Sequence, residues 1–328
     1  MKKMFFGVLL VVISLALSAQ EGAVSRNNGH TLSLGASAGV LYGQSEEIVY
    51  LYQNTGTKLS QLLWDLKPLV YAGADVNYRS HKPANRWGVF SDVSFKIGLP
   101  MKSGVMEDRD WIALDYPQWL THYSVHDNYT ETGILVDADM GLSVAIMRPF
   151  LLKAYLSYSL MYFSWRAKGG SFLYPVWDIN NDGEPDGEHA YYTRPVDVIT
   201  YQQAWHIVSP GIAFYGEFNR YFNAEIAFKA SPLVWCITVD DHILRNFIIT
   251  DILDIGLFIE PSLLFSFTPS DFFTLSLGVQ YRNISLIRGD STYKETGEPA
   301  WVEKNIGGAG YSVLDAGIVA TFRLFHRP

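Results

Sequence analysis

Leu32-Ser33-Leu34-Gly35-Ala36-Ser37-Ala38-Gly39-Val40-Leu41-Tyr42 carries an apolar residue at every even position and, as far as Gly39, a small or polar one at every odd position. Successive side chains of an extended chain point to opposite faces, so this stretch presents an apolar row on one side and a small polar row on the other. A strand lying between lipid and a wet lumen has that character. The same phase recurs at Leu62, Trp64, Leu66, Pro68, Val70, Ala72, Ala74, Val76 and Tyr78, against Asp65, Lys67, Asp75 and Asn77.

Further rows follow along the chain. Trp87, Val89, Val93, Phe95 and Ile97 stand against Asp92, Ser94 and Lys96, and Ile134 to Val144 against Asp137, Asp139 and Ser143. Later rows run from Leu152 to Leu160, from Leu253 to Phe265, from Phe273 to Tyr281 and from Leu314 to Leu324. Strands of soluble sandwiches are usually about five or six residues long. These rows pass the roughly 9–11 needed to cross a bilayer, so length favours a membrane barrel.

The bulk properties agree. Apolar residues make up 48% of the 328 and aromatics 15%, yet beyond the first residues no apolar run is long enough to span as a helix, so the apolar content is held in alternation. Lys2 and Lys3, the apolar run Phe5 to Leu17 and the small Ala19 predict a cleaved signal over 1–19, with one domain over 20–328. Loss of Lys2 and Lys3 takes the net charge from −8 to −10, which opposes nucleic-acid binding through phosphates and suits cationic partners. Cys236 is the only cysteine, which excludes an internal disulfide and a cysteine-based zinc cluster.

Tight connections are expected at Arg79 to Arg86, Arg148-Pro149, Asn219-Arg220 and Thr268 to Asp271, with long polar ones near 43–60, 99–130, 166–200, 235–250 and 284–310. Short turns belong to the periplasmic side of such barrels and long loops to the outside. Four turns and five loops predict an all-β, ten-stranded antiparallel transmembrane β-barrel with five long extracellular loops.

Two clusters of ionisable residues stand at these loops or their strand bases, Glu107-Asp108-Arg109-Asp110-Trp111 and Asp240-Asp241-His242. Residues i and i+2 of an extended chain point the same way, which pairs Asp108 with Asp110 and Asp240 with His242. Neighbouring carboxylates resist double ionisation and can hold a proton between them, while an Asp beside a His fixes its tautomer and keeps it basic. Together they could activate water; the plainer alternative is a set of solvated loop residues.

Ser124 and His126, two apart, have the spacing of a nucleophile and its base, and His122 with His126 that of a metal pair on a helix; ordinary polar cleft residues are the plain alternative. Asp178, Asn180, Asp182, Gly183 and Asp186 follow the ligand and turn spacing of a calcium loop, although the twelfth position is His189 and not Glu. An acidic, turn-rich surface loop has the same composition.

Several separated segments resemble the omptins, outer-membrane aspartyl-type proteases on a ten-stranded barrel. Met106-Glu107-Asp108-Arg109-Asp110-Trp111 resembles that family's Met-x-Asp-x-Asp-Trp, and Thr121-His122-Tyr123-Ser124-Val125-His126 its Ser-x-His segment. Ser164 to Ser171 is similar to its third-loop Gly-Gly-Ser stretch, Asp240-Asp241-His242 to its Asp-x-His dyad, and Glu47 to Leu51 with Lys58 to Trp64 to its first loop and second strand. The resemblance implies an outer-membrane endopeptidase with extracellular loops. Asp240 and His242 would activate water, Asp108 and Asp110 would position it, and no metal or acyl-enzyme would take part.

The resemblance also implies that Ser124 and His126 line the cleft and that Glu47 and the residue at 238 receive the substrate. Position 238 is Thr where a second acid would favour basic cut sites, so a relaxed or shifted preference for cationic peptides is expected. Family members need lipopolysaccharide; on the fifth strand only Tyr158 matches, which leaves lipopolysaccharide as a possible activator. From a different class, the same loops could serve a catalytically silent adhesin or host-protein receptor. A passive pore is disfavoured, since ten strands enclose a lumen that side chains fill.

Overall fold

The computed structural model describes residues 29–53, 55–81, 86–147, 150–175, 189–193 and 196–327. In chain order the strands are β1 (Gly29–Tyr50), β2 (Lys58–His81), β3 (Trp87–Gly98), β4 (Met101–Asp110), β5 (His122–Met147), β6 (Phe150–Pro175), β7 (His189–Thr193) and β8 (Asp197–Glu217). They continue as β9 (Phe222–Ser231), β10 (Val234–His242), β11 (Phe247–Asp254), β12 (Phe258–Ser270), β13 (Phe273–Glu295) and β14 (Trp301–Arg327). Every pairing is antiparallel, and β14 returns to pair with β1, Ala38 opposite Ile318, so the sheet closes into a barrel, with the short β7 attached to β6 alone among the described residues. The signal segment 1–19 lies outside the described residues.

Three pairs of strands share neighbours. β3 and β4 both lie between β2 and β5, parted at Leu99-Pro100. β9 and β10 both follow β8, parted at Pro232-Leu233. β11 and β12 both pair β13, parted where Ile255 takes a positive φ of 58°. Proline has no N–H to give to a ladder, and a left-handed residue bends the strand out of it.

The strands run far past the bilayer. Much of what reads as loop in the sequence is barrel wall: β1 continues to Tyr50, β4 occupies Met101–Asp110, and β5 begins at His122. The outward apolar band includes Tyr42, Val93, Leu142, Leu156, Ile212, Leu277 and Ile318, all exposed. Beyond it, the outer wall turns polar with Gln44, Glu46, Gln61, Glu107, Arg109, Arg166 and Gln202.

One apolar row changes face. Opposite Leu41 and Gly43 of β1 stand Leu69 and Leu66 of β2, so β2 carries an extra residue there. A bulge of one residue reverses which side each later side chain takes. Leu62, Trp64 and Leu66 are therefore buried inside, while Val76 of the same sequence row is exposed on the lipid side. The row from Leu62 to Tyr78 is not a single lipid-facing surface.

Inside, two layers are stacked along the axis. The lower lumen holds ion pairs: Lys96 Nζ lies 2.5 Å from Asp315, Arg282 bonds Glu260 and reaches Asp137 at 3.0 Å, and Lys229 lies 3.2 Å from Glu260. Above it Trp64, Trp165, Tyr201 and Phe163 stack with ring centroids 5.3–6.0 Å apart, all fully buried. This aromatic floor separates the charged lumen from the cleft above.

Candidate active site

The floor carries two facing walls. On one, β4 and β5 pair Asp108 with Ser124 and Asp110 with His122, while β2 places Leu62 beside Asp108 from the other side. On the other, the hairpin of β10 and β11 places Asp240 between Tyr201 and Ile249. The i, i+2 spacing works as the extended chain requires: His242 Nε2 lies 2.7 Å from Asp240 Oδ2. Asp240 is buried, and His242 keeps part of its surface toward the cleft.

The walls meet across a cavity of about 200 Å³ lined by Asp108, Asp110, Ser124, Phe172, His242 and Arg245, among others. Asp108, Asp110, Ser124 and His242 thus share one space, with Asp240 directly behind the imidazole. His126 stands one step back. Its Nε2 bonds Ser124 Oγ at 2.8 Å, its Nδ1 bonds the Gly169 carbonyl, and its ring meets the edge of Phe172.

Burial, and then the like charge of Asp110, pushes the Asp108 carboxyl up to about 8, against the pull of His242 and Arg245. Burial works against charge on His242, but the Asp240 carboxylate and their hydrogen bond outweigh it and raise the imidazole above its usual 6.5. Burial lowers His126, with the Gly169 carbonyl pulling the other way. One wall therefore tends to keep a proton on a carboxyl, and the other holds a strengthened base.

His122 and His126 lie on one strand, not on a helix, so their four-residue spacing separates them by about 13 Å at roughly 3.3 Å per residue. They are not a metal pair, and no group of three metal-ligating residues occurs among the described residues. The calcium-loop positions Asp178, Asn180, Asp182 and Asp186 lie outside the described residues. Tyr158 is on the outer wall, its hydroxyl 2.8 Å from His206 Nδ1.

Glu47 and Thr238 lie deeper than the cavity, both buried. Thr238 does not stand alone: its Oγ1 donates to Asp251 Oδ2 at 2.9 Å. Burial, with the charges of Asp240, Asp251 and Asp108, holds Glu47 well above the usual carboxylate range. Asp251 is pushed up to about 6 by burial, with the nearby Ser291 hydroxyl and Thr238 opposing. Sequence reasoning missed Asp251 and Arg245. Asp251 is one of two acids in Phe247–Asp254 and stands in the alternate row with Ile249 and Leu253 that faces inward, whereas Asp254 is exposed.

The family model described as "Omptin family" matches residues 28–323. The plasminogen activator of Yersinia pestis is 26% identical over 245 residues, which cover 73% of this chain and 72% of that protein. The outer membrane protease OmpP of Escherichia coli (strain K12) is 26% identical over 243 residues, 73% of each chain. Among solved structures, the outer membrane protease OmpT from Escherichia coli superposes with a TM-score of 0.77 at 17% identity, covering 89% of this chain and 96% of that one.

Proposed function

This chain belongs to the omptin family, and from that membership and the chemistry of its cleft we propose that it is an outer-membrane endopeptidase using the Asp240–His242 dyad and the Asp108–Asp110 pair. The single observation that carries the reading is the meeting of the two walls at one cavity of about 200 Å³. A peptide carbonyl lying there has His242 on one side and the two aspartates on the other.

In this mechanism Asp240 holds the imidazole through Nε2, which leaves Nδ1 of His242 as the base. His242 takes a proton from water as the water oxygen bonds to the carbonyl carbon. Asp108, which keeps its proton near neutral pH, shares it with Asp110 and fixes the attacking water by hydrogen bonds. The proton held on His242 then passes to the departing amine as the C–N bond breaks. No covalent enzyme intermediate and no metal are required. Ser124, bonded to His126, shapes the cleft and is not a nucleophile.

The barrel reading is finer than the closed sheet alone. Counting β3 with β4, β9 with β10 and β11 with β12 as interrupted staves, and leaving β7 as a flap on β6, gives ten staves in a single domain. The five cleft-end connections are then the extracellular loops, and cationic peptides are drawn to them by the net negative charge. Lipopolysaccharide acts as a modest activator at most, because Arg166 on the outer wall is already engaged by Glu131 at 2.6 Å and Asp197 at 2.9 Å.

The test is digestion of a mixed peptide library by refolded protein, read by mass spectrometry beside Asp240→Ala. Cuts made by the wild type and lost in the variant support the reading. A folded wild type that cuts nothing, with or without lipopolysaccharide, transfers the protein to the adhesin class. Chelation is expected to leave the cuts unchanged.

A further inference from the structure

Arg288 of β13 makes no ion pair among the described residues, and its donors go to backbone carbonyls instead. Nη1 donates to the carbonyl of Thr55 at 2.8 Å, and Nη2 to the carbonyls of Tyr52 at 3.2 Å and Asn305 at 2.8 Å. The same guanidinium lies 3.6 Å from the centre of the Tyr50 ring. A planar fork of fixed donors can hold several carbonyls at once, and its charge is attracted to the face of a ring.

Asn305 of β14 completes the hold. Its Nδ2 donates to the carbonyl of Gln53 at 2.8 Å, while its backbone N–H donates to Asp290 Oδ1 at 3.2 Å. Asn305 has a φ of 55°, a left-handed conformation that asparagine tolerates better than most residues. Two side chains from the last two strands thus grip the carbonyls of Tyr52, Gln53 and Thr55, all in the connection between β1 and β2.

Each end of that connection is fastened to a different wall of the cleft. On the β1 side, Val49 packs in a cluster with Ile249, Tyr293 and Ile306, and Ile249 is the ladder partner of Asp240. On the β2 side, the carbonyl of Leu59 accepts from the Trp111 N–H at 2.8 Å, and Ser60 and Leu62 are the ladder partners of Asp110 and Asp108. Leu59 also packs against the Val49 cluster. A shift of this connection therefore moves one wall relative to the other.

We propose that Arg288, with Asn305, is a positioning residue for peptide hydrolysis: it pins the connection that joins the two walls and so sets the gap across which the Asp240–His242 dyad faces Asp108 and Asp110. This rests on the endopeptidase reading. Neither residue touches substrate. Their effect is on the alignment of groups that must act on one water and one carbonyl together, and alignment is felt in the chemical step more than in binding.

The experiment uses the refolded full barrel and a fluorogenic peptide built on the site cut most in the library digest. The amount of folded protein is taken from the unheated gel band, so that kcat refers to folded barrels only. Arg288→Gln should lower kcat at least about tenfold and change KM less, since a misplacement of about 1 Å can cost about a hundredfold in rate. Arg288→Lys, which keeps the cation but not the fork, should recover part of that loss. Asn305→Asp removes the donor to Gln53 and should lower kcat in the same way, which keeps the test alive if Arg288→Gln does not refold. Arg282→Ala, which weakens the lower lumen and leaves this grip intact, is the comparison for plain loss of stability and should keep the wild-type kcat. A kcat within twofold of wild type in both Arg288→Gln and Asn305→Asp, or an equal fall in Arg282→Ala, overturns the proposal and leaves the endopeptidase reading intact. A folded wild type that cleaves no peptide overturns both.

Discussion

At the scale of single residues, the dyad depends on one short contact. Replacing Asp240 by alanine leaves His242 without the partner 2.7 Å away that sets its tautomer, and kcat should fall about 10⁴-fold, the loss seen when the orienting aspartate of a serine protease triad is neutralised. Heat-modifiable gel mobility should persist. The pH profile of kcat/KM should be bell-shaped. Activity rises as His242 loses its proton above the usual 6.5, and falls as Asp108 loses its own near 8. Asp110→Asn removes the like charge and should move the alkaline limb to lower pH; an unmoved limb would exclude Asp108 as its source. Stability follows the same sign. The folded state holds the Asp108 proton between 3.8 and about 8 where the unfolded chain does not, so this contribution is complete below 3.8 and is lost as pH rises through 8.

At the scale of elements, the bulge on β2 decides which side chains form the aromatic floor. Deleting Pro68 would remove the extra residue and leave Leu66 two positions from the inward Leu69, so Leu62, Trp64 and Leu66 should keep their inward face in an unbroken ladder. Each of these side chains contributes about 1.5–3 kcal/mol when buried, so the variant should still yield a heat-modifiable band on refolding. The β5–β6 wall has its own constraint. Gly170 takes a φ of +94°, and a Cβ there would lie 2.0 Å from the Val125 carbonyl, beside the Gly169 carbonyl that holds His126. Gly170→Ala should cost about 1–2 kcal/mol, shift β6 against β5 and lower kcat while the lower barrel still folds. Comparing the unfolding midpoint with kcat separates the two effects. This is the physical content of the Lys168-Gly169-Gly170 motif, which the sequence displays without its reason.

At the scale of the whole molecule, the lower lumen is closed by ion pairs and the upper by rings. Arg282 holds Asp137 and Glu260 together, and Arg282→Ala would leave both carboxylates buried without it, a loss of about 3–5 kcal/mol. The temperature of the gel-mobility transition should drop, with little change in the cleavage pattern, because the aromatic floor stands between this network and the cleft. In planar bilayers the wild type should show no large-solute conductance. Lipopolysaccharide should raise activity less than about tenfold, since Arg166 and Arg109 on the outer wall are already paired with acids.

Period-two alternation established the barrel from sequence alone, because a wall between lipid and lumen must alternate wherever it crosses the membrane. The i, i+2 pairs Asp108 with Asp110 and Asp240 with His242 were legible for the same reason, since an extended backbone fixes their common face. That the two pairs share one cavity was implied by the family resemblance, and spacing alone did not make it legible. The cross-ladder contact between Thr238 and Asp251 was not legible, nor was the turning inward of Leu62, Trp64 and Leu66. Periodicity describes one strand at a time, whereas register, bulges and closure decide which strands stand opposite one another, and these arise only when distant segments pair.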